Sequence, residues 1–253
     1  MALPPTAHAT WSGSGASAFS GAAPSAVAAP ARWLLLVGDS KTAPNTTHPE
    51  FGSDQGWQPL LIASLAAALG GPYQYYNVGL GSQSVGSYLA TISTRMASAL
   101  DTGTTPGATV AAPGTTMPPA GTGPAAVLLN LGVNDSLLTA ITPFPAFPAG
   151  STDAAGWQAN YLAIVDYVRT RWASSPIYCM RWWSRLATAG HDTTEAGWID
   201  TAITLRPNCF LGPDERVVLK GSDNGATNTY DGIHMGTAGH LAVAAAWKAV
   251  LWP

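Results

Sequence analysis

Charge is the first thing this chain lacks. Asp, Glu, Lys and Arg make up 10% of its 253 residues, against roughly 25% in ordinary soluble chains. The surface must therefore be built largely from Ser, Thr, Asn, Gln, Gly and Ala, and charge-network thermostability has little to work with. Eleven Lys plus Arg against 14 Asp plus Glu, with no basic run, point away from a nucleic-acid partner. Cysteine is nearly absent. Cys179 and Cys209 each fall in a strand-like segment; a disulfide is open to them if those strands are neighbours, and buried free thiols are the plainer reading. The five His form no Cys-x-x-Cys or His-Glu-x-x-His pattern, so no metal site and no cofactor is expected. No apolar run reaches 18 residues, so no membrane span is expected.

The first 31 residues are rich in Ala, Ser, Gly and Pro, without a basic start or a continuous apolar stretch. They do not make a convincing signal peptide and read as an extended arm or linker. Residues 32–253 are long enough for one sizeable domain. The compartment and the oligomeric state stay open.

Within that domain, short apolar runs alternate with helical spacing. Trp33-Leu34-Leu35-Leu36-Val37 reads as a fully buried strand. Helical periodicity over 57–69 stops at Gly70-Gly71-Pro72. Residues 73–78 predict a second strand, 84–100 a helix, 125–131 a third strand, 156–172 a helix and 177–183 a fourth strand. A short helix over 199–205 follows, then a fifth strand at 207–211 or 216–219, and a final helix over 238–251 capped by Thr237. Residues 101–124 and 141–156, rich in Pro and Gly, predict loops. Buried strands alternating with helices imply an α/β fold with a parallel sheet covered on both faces. In such folds ligands bind outside the carboxyl ends of the strands.

The polar clusters fall at that rim. Gly38-Asp39-Ser40 ends the first strand, and Gly132-Val133-Asn134-Asp135 follows the third. A glycine-rich stretch runs from Asn77 to Val85, and Asp231-Gly232-Ile233-His234 lies near the C-terminus. A free serine hydroxyl is a poor nucleophile and needs a base within hydrogen-bond reach. His234 is the candidate base, with Asp231 three residues earlier to fix its tautomer. Asn134 supplies a side-chain amide suited to a developing oxyanion, and the backbone amide of Ser40 is a second donor.

Each block alone is short and common. The four in this order, across residues 33 to 252, resemble the SGNH, or GDSL, hydrolase family. The resemblance implies a three-layer α/β/α sandwich of flavodoxin-like type, with a mostly parallel five-stranded sheet. It also implies a metal-independent serine esterase in which Ser40, Asp231 and His234 are catalytic. The oxyanion hole would be formed by Ser40, Asn134, and Gly81 or Ser82; the family's usual Gly at the end of the second block is Ser82 here. Asp39 and Asp135 would support the loops. Trp182 and Trp183 suit a pocket wall and core packing equally, and Phe144 and Phe147 could cover the site. The implied substrate is a small ester, with acetylated carbohydrate leading and lipase- or thioesterase-type acyl hydrolysis as alternatives. Two rivals are weaker. An α/β-hydrolase would make Ser84 the nucleophile but leaves the Asn134 block unexplained. A carbohydrate-binding or adhesion module on the same fold has no need for nucleophile, base, carboxylate and oxyanion donor together.

Overall fold

The computed structural model describes residues 32–43, 56–70, 73–96, 122–137, 154–186 and 191–252. The expected N-terminal arm, most of both Pro/Gly-rich loops, and Phe144 and Phe147 lie outside them. In chain order the elements are β1 (Arg32–Gly38), α1 (Trp57–Leu69), β2 (Tyr73–Asn77), α2 (Val85–Met96), β3 (Ala126–Asn130), α3 (Val133–Leu137), α4 (Ala154–Arg171), β4 (Ile177–Arg181), α5 (His191–Thr204), β5 (Cys209–Asp214), α6 (Glu215–Val218) and α7 (Thr237–Leu251). The five strands form one sheet in the order β2-β1-β3-β4-β5, and every neighbouring pair is parallel.

The apolar run in β1 has no alternation because both its faces are covered. Leu34 and Leu36 face a core shared with Leu61 and Leu65 of α1 and Val243 and Trp247 of α7. Trp33, Leu35 and Val37 face the other, with Tyr88 of α2, Tyr161 of α4 and Ile199 of α5. Spacings of four residues, as in Leu61/Leu65 and Val243/Trp247, put each helix's apolar stripe against the sheet. Trp57 and Trp247 stack at 6.1 Å between α1 and α7. Burying side chains of this size contributes about 1.5–3 kcal/mol each.

From β1 the chain goes to β2 on one side and then to β3 on the other. Strand order therefore reverses between β1 and β3, which opens a crevice at their carboxyl ends. Strands β1 and β3 end together, with Gly38 opposite Asn130, and β2 ends two residues short, with Asn77 opposite Leu36.

Several expectations need correction. Residues 216–219 do not form the fifth strand. The Asp214 side chain accepts from the Arg216 amide and caps α6 there, so β5 is Cys209–Asp214. Helix α5 starts at His191 rather than 199, and α4 starts at Ala154, inside the expected loop. Thr237 is the first residue of α7 rather than its cap; Gly236 holds that position without a side-chain bond. Strand β4 ends at Arg181, short of the two tryptophans. Strands β4 and β5 are neighbours, and Cys179 and Cys209 are buried free thiols.

Candidate active site

Three turns and a short helix meet at the rim. After β1 the chain turns sharply, with the Thr42 and Ala43 amides donating to the Asp39 carbonyl at 3.0 and 2.8 Å. The Asp39 amide donates to the Asn130 carbonyl at 3.2 Å, which ties this turn to the end of β3. Gly38 permits the approach: a Cβ there would lie 2.2 Å from Thr42 Oγ1 and 2.5 Å from the Asn130 carbonyl oxygen. The Asp39 carboxylate accepts from the Lys41 amide at 3.0 Å. Its burial raises its pKa to about 6. Ser40, at the apex, is half-buried.

The second turn carries Asp231 and His234. Thr229 and Met235 bridge across it, and the Tyr230 amide donates to the His234 carbonyl at 3.2 Å. One oxygen of Asp231, Oδ1, accepts from the amides of Ile233 and His234 at 2.8 and 2.7 Å. The other, Oδ2, lies 2.6 Å from His234 Nδ1. Burial opposes ionisation of Asp231, but the bonds from the His234 ring and from the two amides outweigh it and hold the carboxyl at about 2. An ionised carboxylate only accepts, so Nδ1 carries a proton, and in the neutral ring Nε2 presents a lone pair. That lone pair faces Ser40 Oγ at 2.9 Å. Tyr230, which the sequence did not single out, lies over the ring at 5.8 Å and 17°.

The third turn is the glycine-rich block. Asn77 joins it to the serine turn: its Nδ2 donates to the Thr42 carbonyl at 2.6 Å and its Oδ1 accepts from the Gly79 amide at 2.9 Å. From α2, Tyr88 Oη and Arg95 Nε each donate to the Val78 carbonyl at 2.8 Å. Gly81 lies beside the serine, its Cβ position 3.8 Å from Ser40 Cβ. Ser82 is exposed and has φ 60°, a left-handed conformation that costs L-residues roughly 1–2 kcal/mol. A glycine would take that conformation freely, which accounts for the residue usual in the resembled family.

Helix α3, absent from the sequence-based expectation, carries Asn134. Its Nδ2 donates to the Gln83 carbonyl at 2.9 Å, so it lies against the glycine-rich turn. Gly132 precedes it with φ 128°, and a Cβ there would lie 2.6 Å from Trp182 Nε1. Asp135 accepts from the Val85 amide at 2.9 Å and so joins α3 to α2; burial lifts its carboxyl to about 7. Trp182 and Trp183 belong to the two cores. Trp182 Nε1 donates to Glu195 at 2.9 Å, and burial first, then Asp135, pushes that carboxyl to about 9.

Ser84, the rival nucleophile, is fully buried and bonded to Ser87, with no His beside it among the described residues. Among those residues no three His, Cys, Asp or Glu side chains are grouped to hold a metal ion, and no helix is long and apolar enough to cross a membrane.

No protein-family model matches the chain, and no curated protein matches it in sequence. Solved structures do resemble it. TesA superposes with a TM-score of 0.60 at 18% identity, over 88% of this chain and 99% of that one. Axe2, an acetylxylan esterase from Geobacillus stearothermophilus, gives 0.60 at 17%, over 88% and 94%. A family 3 carbohydrate esterase of Clostridium thermocellum gives 0.56 at 15%, over 87% and 97%. At such identities the likeness is one of architecture, and the architecture is the SGNH hydrolase fold.

Proposed function

We propose that the chain is a serine esterase that hydrolyses short acyl esters, with acetylated carbohydrate as the leading substrate class. The observation that carries this is the continuous line Ser40 Oγ, His234 Nε2, His234 Nδ1, Asp231 Oδ2, with separations of 2.9 and 2.6 Å at its two hydrogen bonds. It is a nucleophile, a base and an orienting carboxylate in hydrogen-bond contact.

In the proposed reaction Ser40 Oγ attacks the ester carbonyl while its proton passes to His234 Nε2. The carbonyl oxygen becomes an oxyanion, accepting from the amides of Ser40 and Gly81 and from Asn134 Nδ2. The intermediate collapses, the bond to the alcohol breaks, and His234 returns the proton to the leaving oxygen. A water then gives its proton to His234 and attacks the acyl-enzyme; the bond to Ser40 Oγ breaks, His234 returns the proton to that oxygen, and the acid leaves. Asp231 stays ionised throughout and stabilises the imidazolium. Gly81 is favoured over Ser82 as donor because its backbone lies against Ser40 whereas Ser82 is exposed.

Two outcomes are expected. Asn134→Ala loses one oxyanion donor, so kcat on p-nitrophenyl acetate falls about 100- to 1000-fold while KM changes little. An unchanged kcat would remove Asn134 from the site. Across p-nitrophenyl acetate, butyrate and octanoate, with chelator present, kcat/KM is highest for acetate, and acetylated xylan releases acetate. The preference for acetyl is supported by the similar fold of carbohydrate esterases and by the low charge of the chain. Faster cleavage of octanoate than of acetate would overturn it.

A further inference from the structure

Lys41, the residue after the nucleophile, points inward. Its ammonium is 0% exposed, as is the Glu215 carboxylate it pairs with at 2.5 Å. The same ammonium donates to the Trp183 carbonyl. Glu215 Oε2 also accepts from the Trp183 amide at 2.9 Å, and its Oε1 from Asn130 Nδ2 at 3.4 Å. Lys41 follows β1, Asn130 ends β3, Trp183 lies just beyond β4 and Glu215 follows β5. The pair therefore joins the carboxyl ends of four adjacent strands, a span of roughly 14 Å at ordinary strand spacing.

Beyond Trp183 the connection continues to the acid–base turn. Ser184 Oγ donates to the Gly232 carbonyl at 3.1 Å, and the Arg185 amide donates to the same oxygen at 2.8 Å. Gly232 lies between Asp231 and His234. The Lys41 backbone is held as well, its amide on Asp39 and its carbonyl accepting from Trp57 Nε1 at 3.0 Å. One uninterrupted path thus runs from Ser40 through Lys41, Glu215 and Trp183 to Ser184, Gly232 and the base. A fully buried ion pair is a weak contributor to net stability, because desolvation of the two charges offsets their attraction. Stability alone does not account for two charges buried under the site of so sparsely charged a chain.

We propose that the Lys41–Glu215 pair is a positioning strut that sets the distance between Ser40 and the Asp231–His234 turn. This rests on the esterase reading above. Lys41 and Glu215 touch no reacting atom; they act through Ser40 and through the Trp183–Arg185 segment.

The test is the double variant Lys41→Met, Glu215→Gln, which removes both charges at nearly constant volume. It is expected to melt cooperatively and to keep KM within about twofold, while kcat on p-nitrophenyl acetate falls about 10- to 100-fold, the cost of displacing a reacting group by a fraction of an ångström to an ångström. The low-field resonance of the His234 Nδ1 proton is expected to move. Ser184→Ala, which cuts only the last link, should lower kcat by a few-fold at unchanged KM, and it decides the matter if the double variant does not fold. Wild-type kcat together with an unmoved His234 resonance overturns the proposal. If the wild type itself shows no Ser40-dependent hydrolysis, the esterase reading fails instead. The strut is then judged on the His234 resonance alone, with a shift supporting it and no shift overturning it.

Discussion

Replacing Ser40 with alanine should lower kcat for p-nitrophenyl acetate by about a million-fold, the loss seen when a serine hydrolase loses its nucleophile. The substitution deletes one oxygen from a half-buried apex. The turn around it is held by backbone bonds from Thr42 and Ala43 and by the Asp39 side chain, none of which uses the hydroxyl. The fold should therefore persist, and the melting temperature should stay close to that of the parent. Residual activity above the uncatalysed rate is expected, since the proposed oxyanion donors and His234 remain and can still act on water. The measurement is steady-state hydrolysis with purified Ser40→Ala beside the parent protein. Activity within tenfold of wild type would place the nucleophile elsewhere and remove the basis of the proposed mechanism.

Asp231→Asn should be nearly as damaging, about 10⁴-fold in kcat, for a reason legible in the two oxygens of that carboxylate. Oδ1 is committed to two backbone amides, and Oδ2 faces the ring. Asparagine can satisfy the two amides only with its single carbonyl oxygen, which turns its NH2 toward His234 Nδ1. The ring must then accept at Nδ1 and carry its proton on Nε2, the atom that faces Ser40. In that tautomer His234 cannot take the serine proton. KM should change little, because the turn keeps its shape. The wild-type carboxyl is held at about 2, so no ordinary assay pH neutralises it and mimics the variant. A kcat within tenfold of the parent protein would show that Asp231 does not set the tautomer.

Much of this was visible in the residues themselves. Trp33 to Val37 announce a buried strand by lacking alternation, and Gly38-Asp39-Ser40 announces the turn because nothing helical follows. Elements that failed did so where local signals were contradictory. Residues 216–219 look strand-like by composition, but the Asp214 side chain bonds the Arg216 amide and starts a helical turn. The segment His191 to Thr204 is too polar to show a stripe, yet Ile199 and Ala202 are buried against α4 and the sheet. Trp182 and Trp183 read as well for a pocket wall as for the core, because aromatic type alone does not tell which side of a strand end a ring takes. Lys41 and Glu215 went unnoticed for another reason. Their partnership spans 174 positions, and no local pattern encodes it. The one available signal was a lysine set directly beside the candidate nucleophile in a chain with few charges.

The hydrogen bond between Ser40 and His234 joins residues 194 positions apart, and this bears on how the molecule comes into being. At 5–20 residues per second of synthesis, His234 emerges about 10–40 s after Ser40. During that interval β1 can find β2, but α1 lacks α7, its partner through the Trp57–Trp247 stack. The part of α1 that packs on Trp247 is therefore open to water until α7 arrives, while Leu61 and Leu65 can already meet β1. The docking of α7 covers that part and comes with the turn that brings His234 to Ser40, so the proposed centre is assembled only as the core is sealed.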